Sequence, residues 1–141
     1  MSQFDHLQAP RTFAYRQSSV HVIKHYQFTC DNRIYFTETA HVDLSNHTYH
    51  LELSLQATTN AQGIAVDFHH IDKLYHTHLS PYLDGQLLNE TLPEMSTTAE
   101  NIAYWIWEQL TGVLPHDVSL HTLVLYEKPE QGVKLTHDML S

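Results

Sequence analysis

Two stretches of the chain alternate with a period of two. In residues 20–29, Val20, Val22, Lys24, Tyr26 and Phe28 fall on one side, and in residues 47–57 so do Tyr49, Leu51, Leu53 and Leu55. Successive side chains of a strand point to opposite faces, so each stretch reads as a strand with one face turned to a core. Lys24 is the one long polar tip in the first row. Between them lies the β-prone RIYFTETAHV, then Asp43-Leu44-Ser45-Asn46. The pair therefore predicts a long antiparallel hairpin whose connection can hold a short strand of its own.

The pattern then changes. TTNAQG, residues 58–63, is turn chemistry. Ile64, Val66 and Phe68 can finish a strand, and Asp67 or His69 can start a helix whose stripe is Ile71, Leu74, Tyr75, His78, Leu79 and Tyr82. Pro81 falls inside that stripe and kinks or ends it. After a connection carrying Gly85 and Pro93, STTAENIAYWIWEQL predicts a helix over 97–110, with Ile102, Ile106 and Leu110 as its stripe. Thr97 precedes Glu100 by three positions, the spacing of a capping box. Residues 118–126 form a further strand, and Gly132 to Leu135 its partner after a turn at Pro129-Glu130-Gln131. The order ββααββ predicts an α+β fold, a four-stranded antiparallel sheet with two helices on one face. Residues 1–18 are polar, contain Pro10 and read as a loosely held arm before a single domain over 19–141.

Composition narrows the function classes. With 7 basic and 16 acidic residues the formal charge is −9, and no basic run occurs. Nucleic acid and anionic membrane surfaces are therefore not the expected partners. A single cysteine, Cys30, rules out an intrachain disulfide. No apolar run is long enough to span a bilayer and no secretory signal pattern opens the sequence, so a cytoplasmic location is expected.

Six phrases in order carry a resemblance: VIKHYQFTCDN, NHTYHLELSL, GIAVDFHHI, YLDGQLLNE, TAENIAYWIWEQL and LYEKPEQG. Over roughly residues 20–136 the chain resembles the 6-pyruvoyltetrahydropterin synthase and 6-carboxytetrahydropterin synthase family. The resemblance implies the tunnelling fold and a homo-oligomer, a trimer or a hexamer. It also implies a pterin-like ligand, held by a glutamate that matches Glu127 in Leu125-Tyr126-Glu127-Lys128. A carboxylate suits that task because its two oxygens accept two parallel N–H donors. Thr98-Ala99-Glu100-Asn101 resembles the family's helix signature near the subunit interface, which makes Thr98 and Glu100 further candidates for ligand binding.

The family's chemistry is carried over less completely. Its zinc is held by three histidines, one in a phrase like F-x-A-A-H and two in H-x-H. Two registers are open for the first. One places Asn32 at the ligand position, in Phe28-Thr29-Cys30-Asp31-Asn32. The other runs from Phe36 to His41, but it has one residue too many and leaves too short a connection before the next strand. The Asn32 register is favoured. Ser45-Asn46-His47 stands in the place of H-G-H, so only His47 keeps its imidazole. Asn32 and Ser45 stand at ligand positions without being expected to bind, and zinc stays open as a cofactor that this donor set serves poorly. A family cysteine before H-x-H falls on or near His41, a candidate acid–base group. The family's Leu-Asp-His appears as Leu83-Asp84-Gly85, which keeps Asp84 as a catalytic candidate and loses the proton-carrying imidazole.

Each candidate also has a plainer role. Glu127 can be a strand-end acid, His47 a sheet histidine bonded to a neighbour, and His41 a solvated loop residue. Cys30 reads as a small apolar filler. Thirteen histidines invite a metal site, but His69, His70, His76 and His78 are offset by 1, 2, 6, 7, 8 and 9 residues, never by the four that chelation on a helix needs. Tyr104-Trp105-Ile106-Trp107 reads as packing, with one tryptophan facing outward at an interface. Three functions follow. The first is a divergent family member that binds a pterin or purine-like ring through Glu127 with the zinc and proton-transfer residues largely replaced. The second is an active zinc lyase acting on dihydroneopterin triphosphate, and the third is a structural or partner-binding member.

Overall fold

A computed structural model describes residues 2–12 and 16–140. The two alternating stretches extend further than their apolar rows. β1 spans Ser19–Tyr35 and β2 spans His41–Thr58, and the intervening β-prone residues belong to the hairpin itself. Four helices follow: α1 (Phe68–His78), α2 (Ser80–Leu83), α3 (Leu88–Thr91) and α4 (Ala99–Val113). Strands β3 (Ser119–Lys128) and β4 (Gln131–Thr136) complete one antiparallel sheet of order β1-β2-β3-β4, and the single turn α5 (His137–Leu140) ends the described chain. This is the tunnelling fold, with both long helices on one face of the sheet.

One face of the sheet makes the core. Phe28 and Cys30 of β1, Tyr49 to Leu55 of β2 at every second position, and Leu120, Leu123 and Leu125 of β3 are buried together with Ile71 and Tyr75 of α1 and Ile102 and Ile106 of α4. Lys24 is accommodated in that row by the helix above it. Its ammonium lies 2.8 Å from Asp72 of α1, which also accepts a 2.7 Å hydrogen bond from the Tyr26 hydroxyl.

Several local expectations are corrected. The cap of α4 is Thr98, whose side chain accepts from the Asn101 amide, and not Thr97, which is wholly buried and donates to the Arg33 carbonyl. Both Trp105 and Trp107 are buried, because α4 packs against β3, β4 and α1, and the outward aromatic is Tyr104. Ile64 to Phe68 form no strand: Asp67 caps α1 by accepting from the His69 amide. Pro81 stands in the first turn of α2, where its missing N–H costs nothing. Of the expected arm, residues 1 and 13–15 lie outside the described residues, and residues 2–12 are exposed. Among the described residues, no helix is long and apolar enough to cross a membrane.

Candidate functional site

Two bulges shape the end of the sheet. In the β1–β2 ladder, Cys30 faces His47 but Asn32 faces Leu44, so Ser45 and Asn46 together oppose Asp31. Asn46 adopts a left-handed φ of 51°, a conformation that glycine and asparagine tolerate best. Its amide donates to the Asp31 carboxylate at 2.7 Å. In this pairing Asn32 and His47 stand on either side of the bulge, Asn32 opposite Leu44 and His47 opposite Cys30. The bulge also separates the three side chains. Asn32 is buried, and His47 is half-buried with its Nε2 shut from solvent, whereas Ser45 is exposed beside Asp31.

In the β3–β4 ladder Tyr126 faces Gly132 and Lys128 faces Gln131, which leaves Glu127 as the extra residue of a second bulge. The β2–β3 register runs His50 to Tyr126, so its continuation sets Glu127 against Tyr49. Bulges re-aim side chains at sheet ends, and this one leaves Glu127 half-buried with Gln131 as a 3.2 Å donor to its Oε2.

Tyr49 is the hub. It stacks on Phe28 with ring centroids 5.3 Å apart and meets the His47 ring edge-on at 4.7 Å. Its hydroxyl accepts from the Asn32 amide nitrogen at 3.1 Å. Burial raises the Tyr49 pKa, the Asn32 donor works against that, and the charges of Cys30 and Glu127 add to the rise. Glu127 is therefore close enough for its charge to be felt at the phenol. Cys30 is pushed up to about 12, first by burial and then by Asp31 and Asp84, so it is a thiol and not a nucleophilic thiolate at neutral pH.

The structure thus sets Asn32 and His47 against Tyr49, with Thr97 fixing Asn32 and Glu127 opposite Tyr49 by continuation of the β2–β3 ladder. It does not bring the remaining candidates there within one chain. His41 is exposed opposite Tyr35 at the hairpin tip, about 20 Å along the strand from His47. Asp84 is spent on the β1 edge, where its Oδ1 accepts from the Thr29 amide at 3.0 Å and Gly85 donates to the Thr29 carbonyl at 2.7 Å. Gly85, at the position to which the resemblance assigns a histidine, has a φ of 72°, a backbone that residues with a side chain rarely adopt. Thr98 is engaged as a helix cap, and Glu100 is exposed in the first turn of α4. Tyr49 and Thr97 were missed as site residues. The alternation that buries Tyr49 also puts it in line with His47, which is the signal that could have found it.

Zinc fits this donor set badly. The two N–H groups of the Asn32 amide are committed to Thr97, whose carbonyl and hydroxyl share one, and to Tyr49, leaving one neutral amide oxygen; Ser45 offers a hydroxyl from the other side of the bulge; His47 alone supplies an imidazole. Zinc prefers imidazole, thiolate and carboxylate. Among the described residues, no group of three or more His, Cys, Asp or Glu could hold a metal ion.

Known proteins resemble this chain in sequence and in fold. Residues 15–138 match the model of the family described as 6-pyruvoyl tetrahydropterin synthase. A dihydroneopterin monophosphate aldolase of Pyrococcus furiosus is 36% identical over 93 residues, covering 66% of this chain and 78% of that protein. Among solved structures, Caenorhabditis elegans 6-pyruvoyl tetrahydropterin synthase has a TM-score of 0.72 at 16% identity, over 87% of this chain and 99% of that one. A catalytic-residue mutant of the Plasmodium vivax enzyme has a TM-score of 0.65 at 16% identity, over 84% and 97%. At such identities the structures speak for the fold.

Proposed function

The chain belongs to the 6-pyruvoyl tetrahydropterin synthase family, and we propose that it holds a reduced pterin through Glu127 and cleaves the ring's hydroxylated side chain as an aldolase, without zinc. The observation that carries this reading is the β3–β4 bulge at Glu127, whose charge acts on the buried Tyr49 that also meets Asn32 and His47. The name of the Pyrococcus furiosus relative supports the aldolase half.

The chemistry explains how the zinc residues can be dispensed with. A 7,8-dihydropterin has a C6=N5 double bond next to the first side-chain carbon. When the hydroxyl on the second carbon gives up its proton to a base, the bond between the first and second carbons can break. Its electron pair moves through C6 onto N5, which is protonated, and a two-carbon aldehyde leaves. The resulting enamine takes a proton on the remaining carbon and gives up the one on N5 to a base, which restores the C6=N5 bond and yields a hydroxymethyl dihydropterin. The ring is its own electron sink, so what the protein must supply is a hold on the ring, a base and an acid.

The test is to incubate purified protein with 7,8-dihydroneopterin, its monophosphate and its triphosphate, and to separate the products. Hydroxymethyl dihydropterin is expected from wild type. Glu127→Ala is expected to bind the ring at least about 30-fold more weakly, because a paired, charge-assisted contact is lost. A pyruvoyl product from the triphosphate, or product formation indifferent to Glu127, would overturn the reading.

A further inference from the structure

We propose that Asn32 and His47 form a metal-free subsite that receives hydroxyl groups of the ligand's side chain. This rests on the ring-binding reading of Glu127. Asn32 is 2% exposed. Its amide nitrogen donates to the Thr97 carbonyl at 2.9 Å, the Thr97 hydroxyl at 3.2 Å and the Tyr49 hydroxyl at 3.1 Å. A carbonyl only accepts, so Thr97 fixes which end of the amide is nitrogen. The Asn32 Oδ1 is thereby presented as an acceptor with no partner among the described residues, and the buried Nε2 of His47 has none there either.

Buried polar atoms are costly to leave unpaired, and these two flank the same tyrosine. A hydroxyl group matches both: it donates to the amide oxygen, and it donates to or accepts from an imidazole nitrogen. Of the two residues, Asn32 stands on the wall of a cavity of about 500 Å³ also lined by Ser45, while His47 lies outside that lining. The cavity's charged lining is Asp31, Asp43 and Glu90 against Arg33, and Asp43 already holds that guanidinium at 2.6 and 3.0 Å. Such a lining favours neutral hydroxyls over a phosphate. Where the family's histidines would grip a zinc ion, this chain offers direct hydrogen bonds.

Two fluorescent probes isolate the claim: pterin, and neopterin, which adds a trihydroxypropyl chain to the same ring. Both are titrated into wild type, His47→Phe and Asn32→Ala in the presence of EDTA. Wild type is expected to prefer neopterin about tenfold, the worth of two modest hydrogen bonds. Each variant should lower that preference to about twofold or less while keeping its affinity for pterin. His47→Phe keeps an aromatic ring against Tyr49, so it serves if Asn32→Ala does not fold. An unchanged preference in the variants overturns the subsite and leaves the ring-binding reading standing. A preference that appears only without EDTA assigns the hydroxyls to a metal and overturns it too. If neither probe binds wild type, the Glu127 reading falls and takes the subsite with it.

Discussion

At the scale of single residues, Gly132 sets where Glu127 points. A Cβ on Gly132 would meet the Leu125 carbonyl oxygen at 2.5 Å and the Tyr126 Cα at 2.9 Å, so β4 must be bare there to lie against the bulge. These are backbone atoms and cannot swing aside. Gly132→Ala is expected to cost about 2 kcal/mol in urea unfolding, within the range for overpacking, and to weaken pterin binding although residue 132 touches no ligand. Equal stability and affinity in wild type and variant would refute this. Both residues stand in LYEKPEQG, so their presence was legible; that Glu127 falls outside the ladder was not, because a bulge belongs to a pair of strands and no single strand displays it. Asn32 was legible in part. Alternation puts it on the buried face with Phe28 and Cys30, but the carbonyl that fixes its amide comes from Thr97, which no local pattern connects to it.

At the scale of elements, α1 is tied to β1 by one carboxylate. Asp72 accepts from Lys24 and Tyr26, and Tyr26 stacks on Tyr75 of the same helix with centroids 3.9 Å apart. Hydrogen bonds from Lys24, then Tyr26, hold the Asp72 pKa below its ordinary value. A depressed carboxyl contributes stability above its unfolded-state pKa and loses it as pH falls through the folded-state value. The Asp72 side chain is about a third exposed, so solvent screening keeps the contribution near about 1 kcal/mol. Asp72→Asn is thus expected to melt a few degrees below wild type at pH 7, with the gap closing toward pH 3; a gap independent of pH would exclude the carboxylate as its source. The long helices and strands were legible because each repeats its period several times. The single turns α2, α3 and α5 were not, since four residues carry no periodicity. The tryptophans of α4 misled for a related reason: a stripe marks one buried face, whereas this helix is covered by both a sheet and a helix.

For the whole molecule, the unfinished part is the sheet. Its β1 edge is sealed over the upper half: Asp31 donates to the Gln86 carbonyl, Arg33 to the Asn89 side chain and Tyr35 to the Ser96 hydroxyl. Over residues 19–27 no partner of that edge occurs among the described residues. The outward amides there belong to the odd positions, by continuation from Thr29, Asp31 and Arg33, and one of those positions is Ile23, 57% exposed. A long open edge with an exposed β-branched residue is a template for another strand. The fold's other edge strand, β4, pairs with β3 alone among the described strands, so copies of the chain can join edge to edge. The protein is therefore expected to elute as a multiple of its monomer mass. Ile23→Pro tests this without disturbing the hairpin, because it removes only an outward N–H and leaves the ladder to β2 intact. The variant should run as a monomer with the circular dichroism of wild type. If it keeps the wild-type size, strand 19–27 is not the joint, and if wild type is itself monomeric, the open edge must be tolerated through the polar residues around Ile23: His21, His25 and Gln27.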